Sequence, residues 1–109
     1  MELIDTHTHL DFPDFDTDRR AVLAHSRQLG VQRMVVLGVY QQNWQRLWDL
    51  VQDDESLFAA FGLHPVYLED HRPADLIELG DWLTRLQGHR QLCAVGEIGL
   101  DYFCLLYTS

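Results

Sequence analysis

Four short apolar runs alternate with three amphipathic segments along this chain. The runs begin at residues 2, 31, 56 and 92 and read ELID, VQRMVVLGV, SLFAAFGL and LCAVGEIGL. Short, near-continuous apolar runs are typical of strands that are buried on both faces, as in a parallel sheet. The alternation predicts a β-α-β-α-β-α-β order, with right-handed crossovers and helices packed against the sheet.

The segments between the runs carry the start and stop signals of helices. The first, residues 17–29, follows Asp16 as a candidate cap and stops at Gly30, a residue type that ends helices in the left-handed conformation. The third opens at Pro73 and closes at Gly88. The second and third segments each place apolar residues on one helical stripe, which we interpret as core. These residues are Trp44, Leu47, Trp48 and Val51, then Leu76, Leu79, Leu83 and Leu86.

The number and spacing of the predicted strands favour one architecture. Four strands fall within about 97 residues, and at that spacing an eight-stranded barrel closes at about 200 to 250 residues. We therefore predict the α/β class, and within it the first four strands and three helices of a truncated TIM (β/α)8 barrel.

Composition narrows the function classes. The 17 acidic and 8 basic residues give a formal charge of -9, so no basic patch indicates nucleic-acid binding, and a polyanionic substrate would need bound cations. No leader or membrane span is recognisable, and the two cysteines, Cys93 and Cys104, are expected to pack in a reducing compartment. We predict a cytoplasmic protein that does not bind membranes, and we infer no protein partner from the sequence. Nucleophile-elbow and nucleotide-binding loop motifs are absent from the sequence.

The first candidate site lies in IDTHTHLDF, residues 4–12, at the end of the first predicted strand. Alternate residues of a strand share a face, so Asp5, His7 and His9 line up. Two imidazoles on one side can bind a divalent ion. Asp5 can orient an imidazole by a hydrogen bond to it without touching the metal. Two surface histidines near a strand end remain an equal alternative for an isolated HxH motif.

Two further polar residues follow later strands. Glu97 ends the fourth apolar run in VGEIGLDY, where a carboxylate can bridge two metal ions or can cap a following helix. His64 follows the third run in FGLHP, and a ligand or substrate contact and a turn-packing role are equally open for it. Since the carboxyl ends of barrel strands hold active sites, one pocket can collect these groups. The remaining histidines, His25, His71 and His89, are expected to be exposed and structural.

The motifs DTHTHLDF, GLHP and GEIGLDY, in this order and spacing, resemble the TatD family of metal-dependent deoxyribonucleases over residues 3–103. The resemblance implies a metallo-dependent hydrolase barrel related to the amidohydrolases, which cleaves phosphodiester bonds of DNA, often from the 3′ end. It also implies two divalent metal ions, Mg, Mn or Zn. His7 and His9 match first-metal ligands, Glu97 matches the bridging carboxylate, and His64 matches a residue beside the substrate phosphate. Glu97 and His64 are thus the expected catalytic residues.

The chain also departs from the family pattern. That pattern requires two more histidines and an aspartate from later strands, so this chain alone is expected to catalyse little. We expect residues 1–103 to be the amino-terminal half of such a barrel and residues 104–109 to be a non-native tail from sequencing-adapter read-through. Two alternatives stay open: an ester or amide hydrolase such as a D-aminoacyl-tRNA deacylase, and a short protein that binds a metal or partner without catalysis.

Overall fold

A single parallel sheet organises the structure, a computed structural model that describes residues 2–99. Its four strands lie side by side in sequence order, and every neighbouring pair is parallel. This arrangement confirms the predicted strand order. The strands are β1 (Leu3–Thr8), β2 (Val31–Leu37), β3 (Leu57–Phe61) and β4 (Leu92–Val95).

Three helices connect successive strands, as the amphipathic segments predict. They are α1 (Arg19–Gln28), α2 (Trp44–Gln52) and α3 (Pro73–Arg85). Short 3-10 turns lie in the loops after the first three strands, at Pro13–Phe15, Gln41–Asn43 and Pro65–Asp70. Gly30 and Gly88 have φ values of 103° and 84°, which confirms the predicted helix stops. The predicted tail, residues 104–109, lies outside the described residues.

The core lies between the sheet and the helices. Val36 and Phe61 project from the sheet and are fully buried, together with Trp44 of α2. The rings of Trp44 and Trp82 lie 6.2 Å and 5.1 Å from that of Phe61, so aromatic packing joins α2, α3 and β3. The indole nitrogen of Trp44 also donates a hydrogen bond of 3.2 Å to the carbonyl of Gly62. The core therefore fixes the loop after β3.

The expectation that every strand is buried on both faces is wrong for the two outer strands. Within residues 2–99, β1 and β4 each pair with a neighbour on one side only, and Ile4 and Val95 are 56% and 47% exposed. β3, which has a strand on either side, is buried along almost its whole length. β2 also has a strand on either side, yet Gln32 and Arg33 near its start are exposed, so strand position, which periodicity does not encode, explains only part of this difference.

Two helix expectations also need correction. Asp16 does not cap α1; the helix begins at Arg19, and the Asp16 carboxylate instead pairs with Arg19 and Arg46. Leu76 is 65% exposed although it belongs to the predicted apolar stripe of α3. Leu79, one turn later, is buried, so α3 contacts the core through its later turns.

Cys93 is exposed on β4, which contradicts the expectation that it packs in the core. Cys104 lies outside the described residues. No helix in the described part of the chain is long and apolar enough to cross a membrane.

Candidate metal centre

The three sequence motifs meet at one edge of the sheet. His7 lies in β1 and His9 directly follows it, His64 lies three residues after β3, and Glu97 lies two residues after β4. The carboxyl ends of parallel strands share an edge, so four parallel strands bring these distant residues together. The structure thus groups all four predicted site residues.

Glu97 is the centre of this group. Its Oε1 atom lies 3.5 Å from His7 Nε2 and 3.3 Å from His64 Nε2, and its Oε2 atom lies 3.0 Å from His9 Nε2. One ligand atom from each of His7, His9 and Glu97 lies within 4.8 Å of the others. The Glu97 side chain is 18% exposed, whereas that of His7 is 59% exposed, so the cluster opens to solvent on the His7 side.

The hydrogen bond on the far side of the His9 ring assigns its tautomer. His9 Nδ1 lies 3.3 Å from the carbonyl oxygen of Leu37, which can only accept, so Nδ1 carries the hydrogen in the neutral ring. His9 Nε2 then has only a lone pair and lies 3.0 Å from Glu97 Oε2, a buried oxygen that has no hydrogen-bond partner among residues 2–99. Two acceptors this close need a cation beside them, and imidazole and carboxylate suit Zn or Mn. The residues present therefore fit a divalent metal ion.

His64 has the opposite tautomer. Its Nδ1 atom accepts a 2.9 Å hydrogen bond from the backbone N–H of Val66, which leaves the hydrogen of the neutral ring on Nε2. His64 Nε2 lies 3.3 Å from Glu97 Oε1. His64 therefore organises the turn after β3, while its role as a ligand or substrate contact stays a prediction.

The remaining histidines lie outside the cluster. His25 is exposed on α1 and His89 is exposed beside Trp48, as expected. His71 contradicts the same expectation, because it is half-buried and its Nε2–H donates a 2.7 Å hydrogen bond to the carbonyl of His64. His71 therefore fixes the backbone of His64, a contact that the sequence gives no sign of.

Close backbone contacts hold the Glu97 loop in place. The Gly96 N–H donates to the Phe61 carbonyl and the Glu97 N–H to the Gly38 carbonyl, both at 2.8 Å. A Cβ atom on Gly62 would lie 2.5 Å from the Gly96 carbonyl carbon and 2.7 Å from the Glu97 nitrogen. Only glycine leaves room for this approach, so the G of FGLHP is a site residue that sequence reasoning missed.

Two aspartates near the HxH motif have other roles. Asp5 accepts a 3.0 Å hydrogen bond from the backbone N–H of His7 at its Oδ1 atom, so the expected orientation of an imidazole by Asp5 is not observed. Asp11 is buried and accepts from the Asn43 amide, and burial raises the pKa of Asp11 to about 6. Asp11 therefore connects the loop after β1 to the start of α2. The sequence signal for its burial is its position between the apolar residues Leu10 and Phe12.

A cavity of about 750 Å³ opens elsewhere, between α1 and the end of α2. Its walls include Arg27 and Asp54, which form an ion pair with each other. The predicted site residues do not line it. The metal centre is instead an open cluster at the sheet edge.

A parallel α/β sheet with a two-histidine, one-glutamate cluster at its carboxyl edge defines a metallohydrolase-type site. The family model for TatD-related DNases matches residues 4–108, and the chain belongs to this family. The resemblance inferred from the three motifs is thereby confirmed.

Individual relatives agree with this assignment. The chain is 42% identical over 100 residues to the uncharacterized metal-dependent hydrolase YjjV of Escherichia coli K12, and 35% identical to YabD of Bacillus subtilis 168, another uncharacterized metal-dependent hydrolase. It is 30% identical over 105 residues to human deoxyribonuclease TATDN3. Each match covers 92% of this chain and 38% of the relative, so the chain spans less than half the length of these relatives.

A solved structure confirms the fold class. The crystal structure of YjjV, a TatD homolog from Escherichia coli K12, superposes with a TM-score of 0.85 at 42% identity. The superposition covers 93% of this chain and 38% of the YjjV chain. The four strands and three helices are thus those of part of a TatD barrel, as the truncated-barrel prediction states.

Proposed function

We propose that the protein containing this chain is a metal-dependent hydrolase that cleaves phosphodiester bonds of DNA, as a 3′ to 5′ exonuclease. The observation that carries the proposal is the pair of adjacent acceptors, His9 Nε2 and Glu97 Oε2 at 3.0 Å, with His7 and His64 within 3.5 Å of Glu97 Oε1. The family match and the printed name of human TATDN3, a deoxyribonuclease, support the substrate class.

In this proposal His7, His9 and Glu97 would hold the divalent cation. The two Glu97 oxygens lie nearest different histidines, which fits the bridging carboxylate that the family resemblance implies. Bound divalent cations supply the positive charge that activates water and neutralises the phosphodiester. That charge is needed because the chain carries a formal charge of -9.

His64 donates its Nε2–H to a non-bridging phosphate oxygen of the substrate. The Val66 N–H holds the tautomer, and the His71 contact holds the backbone, so the donor is oriented before substrate binds. A preoriented donor stabilises charge that develops on the phosphoryl oxygens without reorganisation during the reaction.

The test uses the natural protein at full length, stripped with EDTA and reloaded with Mn²⁺. We expect single-stranded DNA labelled at its 5′ end to yield a ladder that shortens from the 3′ end. Glu97→Gln and His9→Ala should abolish cleavage, while His25→Ala, a matched exposed histidine, should leave it unchanged. His64→Ala should lower kcat by about 100-fold, the effect of removing one preoriented donor.

Two results would overturn the proposal. Hydrolysis of D-aminoacyl-tRNA without DNA cleavage would identify an ester hydrolase, and tight Mn²⁺ binding with neither activity would identify a metal-binding protein. Cleavage inside the DNA, from a circular single strand, would retain the nuclease and reject the exonuclease.

A further inference from the structure

A row of aromatic rings leads away from the metal centre along the same edge of the sheet. Tyr67 lies in the 3-10 turn after β3, and its ring centroid is 6.3 Å from that of His64 in an edge-to-face arrangement. Tyr40 lies in the loop after β2, and its ring centroid is 5.1 Å from that of Tyr67. Since His64 faces Glu97, the row runs from the metal centre to Tyr40.

Neither tyrosine belongs to the core. Both are half-buried, and the cluster of buried residues between sheet and helices includes neither of them. The backbone on either side of the turn is tied down: the His64 N–H donates a 2.7 Å hydrogen bond to the Val39 carbonyl, next to Tyr40. The two rings are therefore held together by the site's own loops and keep part of their surface open.

Charge favours an aromatic contact over a cationic one here. All eight basic residues of the chain are arginines, and Arg19, Arg27, Arg46 and Arg72 already pair with carboxylates. Neither the turn Pro65–Asp70, which carries Tyr67, nor residues 38–43, which carry Tyr40, contains an arginine, so an anionic strand meets no cation from these two segments. Stacking of bases on aromatic side chains attracts single strands without regard to sequence or to phosphate charge.

We propose that Tyr40 and Tyr67 form a stacking platform for a nucleobase of single-stranded DNA, next to the phosphodiester at His7, His9 and Glu97. The inference rests on the proposed function. It adds that the site recognises an exposed nucleobase of the substrate. It predicts that the site prefers unpaired nucleotides, because a base inside a duplex is already stacked.

The test pairs ring removal with base removal. In the test, the full-length natural protein with Mn²⁺ is given two kinds of single-stranded oligonucleotide. One is ordinary, and the other carries a single abasic residue that is moved through the positions beside the cleaved bond. For the unchanged protein, we expect one abasic position to lower kcat/KM by about tenfold, mainly through KM. Tyr67→Leu and Tyr40→Leu should lower kcat/KM by a similar factor on the ordinary oligonucleotide. On the abasic oligonucleotide the same variants should lower kcat/KM little further.

Matched variants separate stacking from a structural role. Tyr67→Phe and Tyr40→Phe keep the rings, so they should show the abasic penalty that the Leu variants lose. Equal losses for the Leu variants on ordinary and abasic substrates, or no loss at all, would overturn the platform while leaving the nuclease intact. Failure of the unchanged protein to cleave either oligonucleotide would instead overturn the proposed function and the platform together.

Discussion

His9 Nε2 and Glu97 Oε2 lie 3.0 Å apart, and in the neutral His9 tautomer neither atom carries a hydrogen. The Leu37 carbonyl takes the only ring hydrogen of His9, and Glu97 Oε2 has no other donor among the described residues. The pair is therefore stable only with positive charge between the two atoms. A divalent metal supplies that charge, and a proton competes for the same place.

Removing a ligand should weaken metal binding. We expect His9→Ala and Glu97→Gln to lower Mn²⁺ or Zn²⁺ affinity by about tenfold or more. Substitution of a residue that only hydrogen-bonds to a metal ligand already lowers metal affinity by about that factor. Titration calorimetry at pH 7 measures the effect, with His25→Ala as the matched control. Unchanged affinity in His9→Ala would contradict the assigned ligand set.

Gly62→Ala should displace the Glu97 loop. A Cβ there would lie 2.7 Å from the Glu97 nitrogen, so the carboxylate must move and both stability and metal affinity should fall. Gly80→Ala is the matched control, because the Cβ of that residue in α3 meets nothing within 4 Å. It should raise the unfolding free energy by about 0.5–1 kcal/mol. Thermal unfolding and calorimetry together report both effects; metal affinity unchanged in Gly62→Ala would count against the close approach.

Asp75 should stabilise the start of α3 in a pH-dependent way. Its carboxylate accepts hydrogen bonds of 2.9 Å from the Arg72 backbone N–H and 3.0 Å from the Arg72 guanidinium, and these contacts hold the pKa of Asp75 below its ordinary 3.8. We expect Asp75→Ala to cost about 1–2 kcal/mol of unfolding free energy at pH 7. Because the folded pKa is lowered, this stabilisation is complete above pH 3.8 and disappears as the pH falls through the folded value.

Urea unfolding at pH 7 and in acid measures the difference between the unchanged chain and Asp75→Ala. Asp81→Ala, an exposed aspartate on the same helix, is the control and should change stability little at either pH. A difference that grows in acid would contradict the sign of the pKa change.

The outer strands should make this chain associate. Within the described residues, β1 and β4 pair on one side only and carry exposed apolar side chains, including Ile4 and Val95. Unpaired parallel edges recruit further strands, and a lysine on an edge opposes this. We expect multi-angle light scattering to show concentration-dependent association that Val95→Lys reduces and Gln28→Lys, at an exposed helix position, does not. A monodisperse unchanged chain would contradict the prediction.

The sequence by itself determined the order of elements and the residue types of the site. Apolar runs and helical stripes gave four parallel strands and three helices, and strand ends gave His7, His9, His64 and Glu97, because local periodicity and end signals act over a few residues. The burial of Asp11 and the close approach at Gly62 depend on Asn43 and Glu97, which lie 32 and 35 positions away in the sequence. The His71 contact spans seven residues of an irregular turn. Periodicity and end signals carry none of this information.

Tertiary structure also decided which groups face one another. The His9 tautomer follows from the Leu37 carbonyl, 28 residues away, whereas the His64 tautomer follows from the Val66 N–H two residues later. Only the folded sheet brings both rings to Glu97. Strand exposure also depended on the sheet, since β1 and β4 have a neighbour on one side only, whereas β3 has one on each side. Short motifs thus determine which residues form the site, while long-range contacts bring them together around Glu97, because strand pairing joins segments that are far apart in the sequence.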